Sequence, residues 1–205
     1  MKTHWNEVYN SKETTNLGWY EETPVKCLEL LEKSKIRHSD LIVDVGCGTA
    51  SFIMNLLDQG YTNLIGLDIS DVAINKVKKH MGEKAGRVHW IVDDITRPER
   101  ITEFKDIALW HDRAVLHFLQ TKNERQKYLR TLKTVLKIAG YVIIAVFNLE
   151  GVRECSGLTT YNYSSETLGD FLGSSFLLKD SFNFTYKTPW GKPRPYVYTL
   201  FQRFD

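Results

Sequence analysis

Apolar residues recur along this chain with two alternating periods, one helical and one extended, and that alternation predicts an α/β architecture. Thr23 followed by Pro24 reads as a helix start, with Val25, Leu28 and Leu31 on one face. Leu41-Ile42-Val43-Asp44-Val45 is a short apolar run suited to a strand buried on both faces. A glycine-rich turn follows, then a helix from Phe52 to Gln59 that Gly60 ends. The unit repeats: Leu64 to Asp68 predicts a second strand, and Ser70 caps a helix whose Val72, Ala73, Val77 and Met81 face inward until Gly82 stops it. A third strand is expected over Val88 to Asp93 and a fourth over Ile107 to Trp110. A helix from about Glu124 to Leu136 places Tyr128, Leu129, Leu132 and Val135 on one face, and Gly140 opens a fifth strand, Tyr141 to Phe147.

Beyond Phe147 the pattern changes to a long polar loop, a short helix near Ser165 to Leu172, and two strand-like runs, Phe176 to Tyr186 and Tyr196 to Phe204. The turn-rich stretch Lys187 to Pro195 joins those runs without a crossover helix, so they are expected to pair antiparallel. The earlier strands alternate with helices, which implies right-handed crossovers, a parallel sheet covered on both faces, and ligand sites at the strands' carboxyl ends. The expected fold is a Rossmann-like three-layer sandwich with a seven-stranded, mostly parallel sheet and an antiparallel C-terminal hairpin.

With 205 residues, 42% of them hydrophobic and 25% charged, the chain can bury a sizeable core and lacks the signature of disorder. One domain over residues 1–205 is expected, with a terminal segment over 1–22 and a core over 36–205. A net charge of +2 makes neither nucleic acid nor an anionic membrane the default partner. No apolar run approaches the roughly 20 residues of a membrane helix, and the polar start lacks the apolar centre of a signal peptide, so a cytoplasmic monomer or homodimer is expected. Cys27, Cys47 and Cys155 are odd in number and far apart, which suggests neither a disulfide framework nor a zinc site, and no metal is expected.

The turn Asp44-Val45-Gly46-Cys47-Gly48-Thr49-Ala50 has glycines where the chain turns tightly and a ligand can approach the backbone. Ser51 stands where the dinucleotide fingerprint has its third glycine, and the acid Asp44 beside the turn suits a cationic ligand better than a pyrophosphate. Asp68 ends the second strand, where a carboxylate can accept both ribose hydroxyls. Asp93-Asp94-Ile95 ends the third, where a carboxylate can accept from an adenine amino group.

These features resemble the class I, or seven-β-strand, S-adenosylmethionine-dependent methyltransferases over about residues 36 to 205. The resemblance implies S-adenosyl-L-methionine as cofactor, with S-adenosyl-L-homocysteine as product. It places Gly46 and Gly48 beneath the methionine moiety, Asp44 on its ammonium side, Asp68 at the ribose, and Asp94 and Ile95 at the adenine, with Cys47, Ile69, Trp110 and Trp19 as further candidate cofactor contacts. Ile138-Ala139-Gly140 departs from the Pro-Gly-Gly that many members carry before the fifth strand, a difference in a turn and not in cofactor chemistry. A nicotinamide-binding Rossmann domain is the competing reading of the same glycines.

Trp110-His111-Asp112-Arg113, after the predicted fourth strand, is a titratable set at the expected acceptor end. His111 has the intrinsic pKa of a base, Asp112 could orient it, and Arg113 could hold an anionic acceptor or lower a thiol pKa, so the three are the candidate catalytic residues. Asp112 and Arg113 could equally form a structural ion pair, and His117 reads as a core residue. Asp112-Arg113-Ala114 is similar to the corresponding place in thiopurine and thiol methyltransferases. The lysine methyltransferases acting on elongation factors, to which the chain also bears local resemblance, typically have an acid followed by Lys-Gly there instead. Trp5-x-x-x-Tyr9 and Trp19-Tyr20 resemble the lid of enzymes that methylate protein lysines, including the one acting on citrate synthase, and of thiol methyltransferases. Tyr20, Arg113 and Cys155 are the candidate acceptor contacts. Methyl transfer to sulfur, nitrogen or oxygen of a small molecule is the expected function; protein lysine methylation and a noncatalytic cofactor-binding module are the alternatives.

Overall fold

In the computed structural model, which describes residues 1–205, the short apolar runs form five parallel strands: β1 (Ile42–Val45), β2 (Leu64–Asp68), β3 (Val88–Val92), β4 (Ile107–Arg113) and β5 (Leu136–Phe147). A two-residue pair, β6 (Glu154–Cys155) and β7 (Leu158–Thr159), stands apart, and β8 (Phe176–Lys187) and β9 (Pro193–Arg203) form the terminal hairpin. The seven-stranded sheet has the order β3-β2-β1-β4-β5-β9-β8, antiparallel only where β9 joins β5 and β8. Strand order reverses between β1 and β4, and this is where an open α/β sheet leaves a crevice at its carboxyl edge.

Helices cover both faces. On one face lie α2 (Val25–Ser34), α3 (Ser51–Asp58) and α4 (Asp71–Met81), packed through Leu30, Phe52, Leu56 and Val77 on Leu109 and Ile143. On the other lie α5 (Lys122–Val135) and α6 (Ser165–Leu172), where Tyr128, Leu132 and Leu168 meet Trp110, Val142 and Phe201. Ser70 caps α4 by accepting the Ala73 N–H at 3.0 Å, as its sequence position suggested. Thr121 and Glu124 form a reciprocal capping box that starts α5 two residues before Glu124. No helix is long and apolar enough to cross a membrane.

Several boundaries depart from expectation. Thr23 makes no side-chain cap; Pro24 occupies the cap position of α2. The hairpin connection shrinks to residues 188–192, because Pro193 and Pro195 pair with Lys187 and Thr185 inside the ladder. The N-terminal segment forms a ten-residue helix, α1 (Lys2–Ser11). Tertiary bonds hold it: Asn6 bridges Asp71 and Ser70 at 2.7 Å each, and Lys76 donates to the Tyr9 carbonyl. The largest difference is in β4, which continues three residues past Trp110 and takes in His111, Asp112 and Arg113. Polar groups that seemed to end a buried strand stay in it because each finds a partner.

Candidate cofactor and acceptor site

A cavity of about 860 Å³ opens at the carboxyl edge of β1, β2 and β4, within the usual range for small-molecule sites. Its floor is the turn after β1, where Gly46 and Gly48 have φ of +64° and +52°. A Cβ on Gly46 would lie 2.1 Å from Val115 Cγ2, and one on Gly48 would lie 2.7 Å from the Tyr9 hydroxyl, so neither position tolerates a side chain without displacement. Asp68, at the end of β2, lines the cavity while Oδ2 accepts the Gly48 N–H at 2.9 Å and Oδ1 accepts the Ser70 N–H at 2.8 Å. Burial pushes its carboxyl up to about 6.

Two adjacent acids after β3 divide the work. Asp93 accepts backbone N–H groups from Asp94, Glu99, Arg100 and Ile101 and thereby shapes the loop. Asp94 and Ile95 line the cavity, and Asp94 Oδ1 is occupied by the Thr96 N–H and hydroxyl. Val45, Leu67, Ile69, Val92 and Ile95 give this half apolar walls. Aliphatic walls with carboxylates on two neighbouring strand ends, over a floor that excludes side chains, fit a nucleoside whose ribose and amino group need acceptors.

The N-terminal segment roofs the cavity. Trp5, Tyr9, Gly18 and Trp19 line it, and Trp5 meets Trp19 and Phe118 edge-on with ring centroids 5.7 and 5.0 Å apart. Tyr20 is not part of the lining; its carbonyl accepts the Tyr186 hydroxyl, and its ring packs beside Tyr9 and Leu17. The segment is fastened from below by Arg113, whose Nη1 donates to the Trp19 carbonyl at 2.8 Å. Glu21 approaches Nη2 at 3.0 Å as an ion pair without hydrogen-bond alignment. The guanidinium also lies over Tyr186 and Tyr196.

Because β4 runs on, its last residues alternate between faces. His111 points away from the cavity: its Nδ1 is 2.6 Å from Asp44 Oδ1, and its ring stacks on Phe52 at 3.8 Å. Burial opposes charge on the ring, but Cys27 and Asp44 outweigh it and raise the pKa to about 10. The expectation of His111 as a base at the acceptor is therefore corrected, since no acceptor in the cavity reaches it. Asp112 faces α5 and is wholly buried, accepting from Val115 N–H, Leu116 N–H and the Tyr128 hydroxyl, which in turn accepts from Trp110 Nε1. It shapes the turn after β4, and Trp110 belongs to the core; neither lines the cavity. Asp44 and Cys47 also lie beneath the floor, with Asp44 committed to His111 and Cys47 packed in the core.

Beyond the glycine floor, the cavity continues over the ends of β4, β5 and β9. Arg113, Ala114, His117, Phe147, Cys155 and Tyr196 line this half, with Arg194 beside them. The sequence predicts His117 as a core residue; it is buried, yet it forms part of this wall. Its sequence signal was the short offset from the strand end, obscured because the strand ends three residues later than its apolar run.

A family model described as a methyltransferase domain matches residues 42–140. Among curated proteins the chain is 24% identical to the EEF1A lysine methyltransferase 2 of Mus musculus over 162 residues, 72% of this chain and 65% of that protein. It is 23% identical to the eEF1A lysine and N-terminal methyltransferase of Mus musculus over 176 residues, 86% of this chain and 24% of that protein. The chain thus spans less than two thirds of the length of either relative. Among solved structures, an S-adenosylmethionine-dependent methyltransferase from Anabaena variabilis superposes with a TM-score of 0.77 at 15% identity, covering 98% of this chain and 94% of that one. Sheet order, glycine floor and domain match together define a Rossmann-like methyltransferase domain. The domain match, the methyltransferase relatives and the fold together support a class I S-adenosylmethionine-dependent methyltransferase. S-adenosyl-L-methionine is the cofactor of that family.

Proposed function

We propose that this protein transfers the methyl group of S-adenosylmethionine to a heteroatom of a small-molecule acceptor. The observation that carries the reading is a single cavity of about 860 Å³ that runs from the carboxylates of β2 and β3 to the ends of β4 and β5 beneath an aromatic roof. That volume holds a nucleoside and a second small body. Bound cofactor supplies an electrophilic methyl group on a sulfonium. Asp68 accepts from the ribose hydroxyls, Asp94 and Ile95 meet the adenine, Gly46 lets the methionine portion lie on the backbone, and Trp5 and Trp19 exclude water. Asp44, held by His111, acts through the shape and charge of the turn and not by contact.

Protein lysine methylation is the second reading, favoured by the names of the two mouse relatives. Against it, no carboxylate lines the far half of the cavity to attract an ammonium or take its proton. The deciding experiment supplies methyl-labelled cofactor to the purified protein with small thiols, carboxylates and amines in one series and protein extracts in another. Label in small molecules alone supports the primary reading. Label in protein lysines, with none in the small molecules, replaces it by the second.

A further inference from the structure

His117 is fully buried, yet it lines the acceptor half of the cavity. Its ring lies flat on Phe147, with centroids 4.5 Å apart and planes 5° apart, and Nδ1 accepts the Phe147 backbone N–H at 3.3 Å. With Nδ1 as acceptor, the proton of the neutral ring sits on Nε2, which has no partner in the protein. A buried donor left unpaired costs about 1–3 kcal/mol, and one kept in a cavity wall is satisfied by what the cavity binds. Burial and the neighbouring Arg113 hold the ring pKa down to about 3, which keeps it neutral and makes it a poor proton acceptor.

The charges around it have one sign. Arg113 is offset by Glu21, although its Nε has no partner. Arg194 lines the cavity and forms no ion pair. Arg194 and Lys12 both act electrostatically on Cys155. Of the carboxylates that line the cavity, Asp68, Asp93, Asp94 and Glu99 follow β2 and β3 in the cofactor half, and Glu124 is engaged in the capping box of α5. This end therefore offers two donors, uncompensated positive charge and no base.

Resting on the methyl-transfer reading, we propose that the acceptor end selects a nucleophile that arrives already ionised, a thiolate or a carboxylate on an apolar body, with His117 Nε2–H and Arg194 as its donors. The transfer then needs no base. An electron pair of the anionic sulfur or oxygen forms the bond to the methyl carbon as the carbon–sulfur bond of the sulfonium breaks. The bonding pair stays on the departing sulfur, and one negative and one positive charge vanish without release of a proton. Phe118, Phe147 and Tyr196 supply aromatic walls for the body of the acceptor.

The test is calorimetric titration of the protein saturated with S-adenosylhomocysteine, using thiophenol above its own pKa, benzoate, benzamide and benzylamine. The expected result is that at least one of the two anions binds about tenfold or more tightly than both the neutral and the cationic isostere. The stronger anion tells thiolate from carboxylate. His117→Phe keeps the stack on Phe147 and removes the donor, and it should reduce that preference about tenfold while cofactor-product affinity stays within about twofold. Should that variant fail to fold, Arg194→Gln, at the cavity edge, reads the same preference. Benzylamine or benzamide binding as well as the anions overturns the proposal. So does anion affinity unchanged in both variants, or no binding of any probe by the product-saturated protein. If S-adenosylhomocysteine itself does not bind, the methyltransferase reading has failed first.

Discussion

Asp44 and His111 stand opposite each other in the register of β1 and β4, with Oδ1 and Nδ1 2.6 Å apart beneath the glycine floor. Both side chains are almost fully buried, so each compensates the other for lost water, and Cys27 adds to this at the ring. The pair supports the turn from below and leaves acceptor chemistry to residues further along the chain.

His111→Gln should accordingly destabilise the fold by about 3–5 kcal/mol at pH 6, the usual result of leaving a buried charge without its counterpart. The raised histidine stabilises fully below its unfolded value of about 6.5, and this contribution disappears as pH climbs through about 10. The gap between wild type and variant should therefore narrow by about 1.4 kcal/mol per pH unit across that window. Urea denaturation at several pH values measures it, and a constant gap would contradict the pairing.

Asp68→Ala should weaken S-adenosylhomocysteine binding by about 1.5–3 kcal/mol, the range for hydrogen bonds to a charged group. Its carboxyl titrates near 6, so wild-type affinity should fall as pH drops below that value and the variant should lose this dependence. Calorimetry at a series of pH values tests both. Equal affinity in the two proteins would remove Asp68 from the ribose site.

Gly46→Ala places a Cβ 2.1 Å from Val115 Cγ2 at φ +64°. The expected cost is about 1–3 kcal/mol from overpacking and left-handed strain together. Adding Val115→Ala should recover the steric part and leave about 1 kcal/mol from the backbone. Thermal melts of the two variants without ligand separate the contributions.

Arg113→Met removes the tie to the Trp19 carbonyl and leaves Glu21 without its cation. Amide exchange over residues 2–21 should speed up at least about tenfold, and Glu21→Gln in the same background should restore part of the thermal stability by removing the stranded charge. Exchange confined to wild-type rates would mean that Arg113 does not hold the roof.

The sheet was readable because strands buried on both faces are short unbroken apolar runs between turn residues, as Leu64–Asp68 illustrates by matching its expected limits. Asp68 and Asp94 line the cavity after their strands and Gly46 and Gly48 form the turn after β1, as strand ends and tight turns restrict which residue types can occupy them. Of the three polar residues expected at the acceptor end, Arg113 lines the cavity, whereas His111 and Asp112 do not, because β4 continues through them. Asp44 and Tyr128, far away in sequence, allow the strand to continue, and no local pattern reports a partner 67 or 16 positions distant. The three-residue extension moved the true post-strand turn to Ala114–Leu119 and put His117 in the wall.

Hydrophobic period and turn chemistry, which act over a few neighbouring residues, determined by themselves the layer architecture, the parallel strands with their antiparallel terminal hairpin, and the place of the glycine turn. Which titratable groups face the cavity was decided only in three dimensions. A β-strand turns each successive side chain to the opposite face, so a shift of its end changes what every polar residue meets. Burial then left His111 and Asp112 committed to structural partners, while the Nε2 of His117 was left without one.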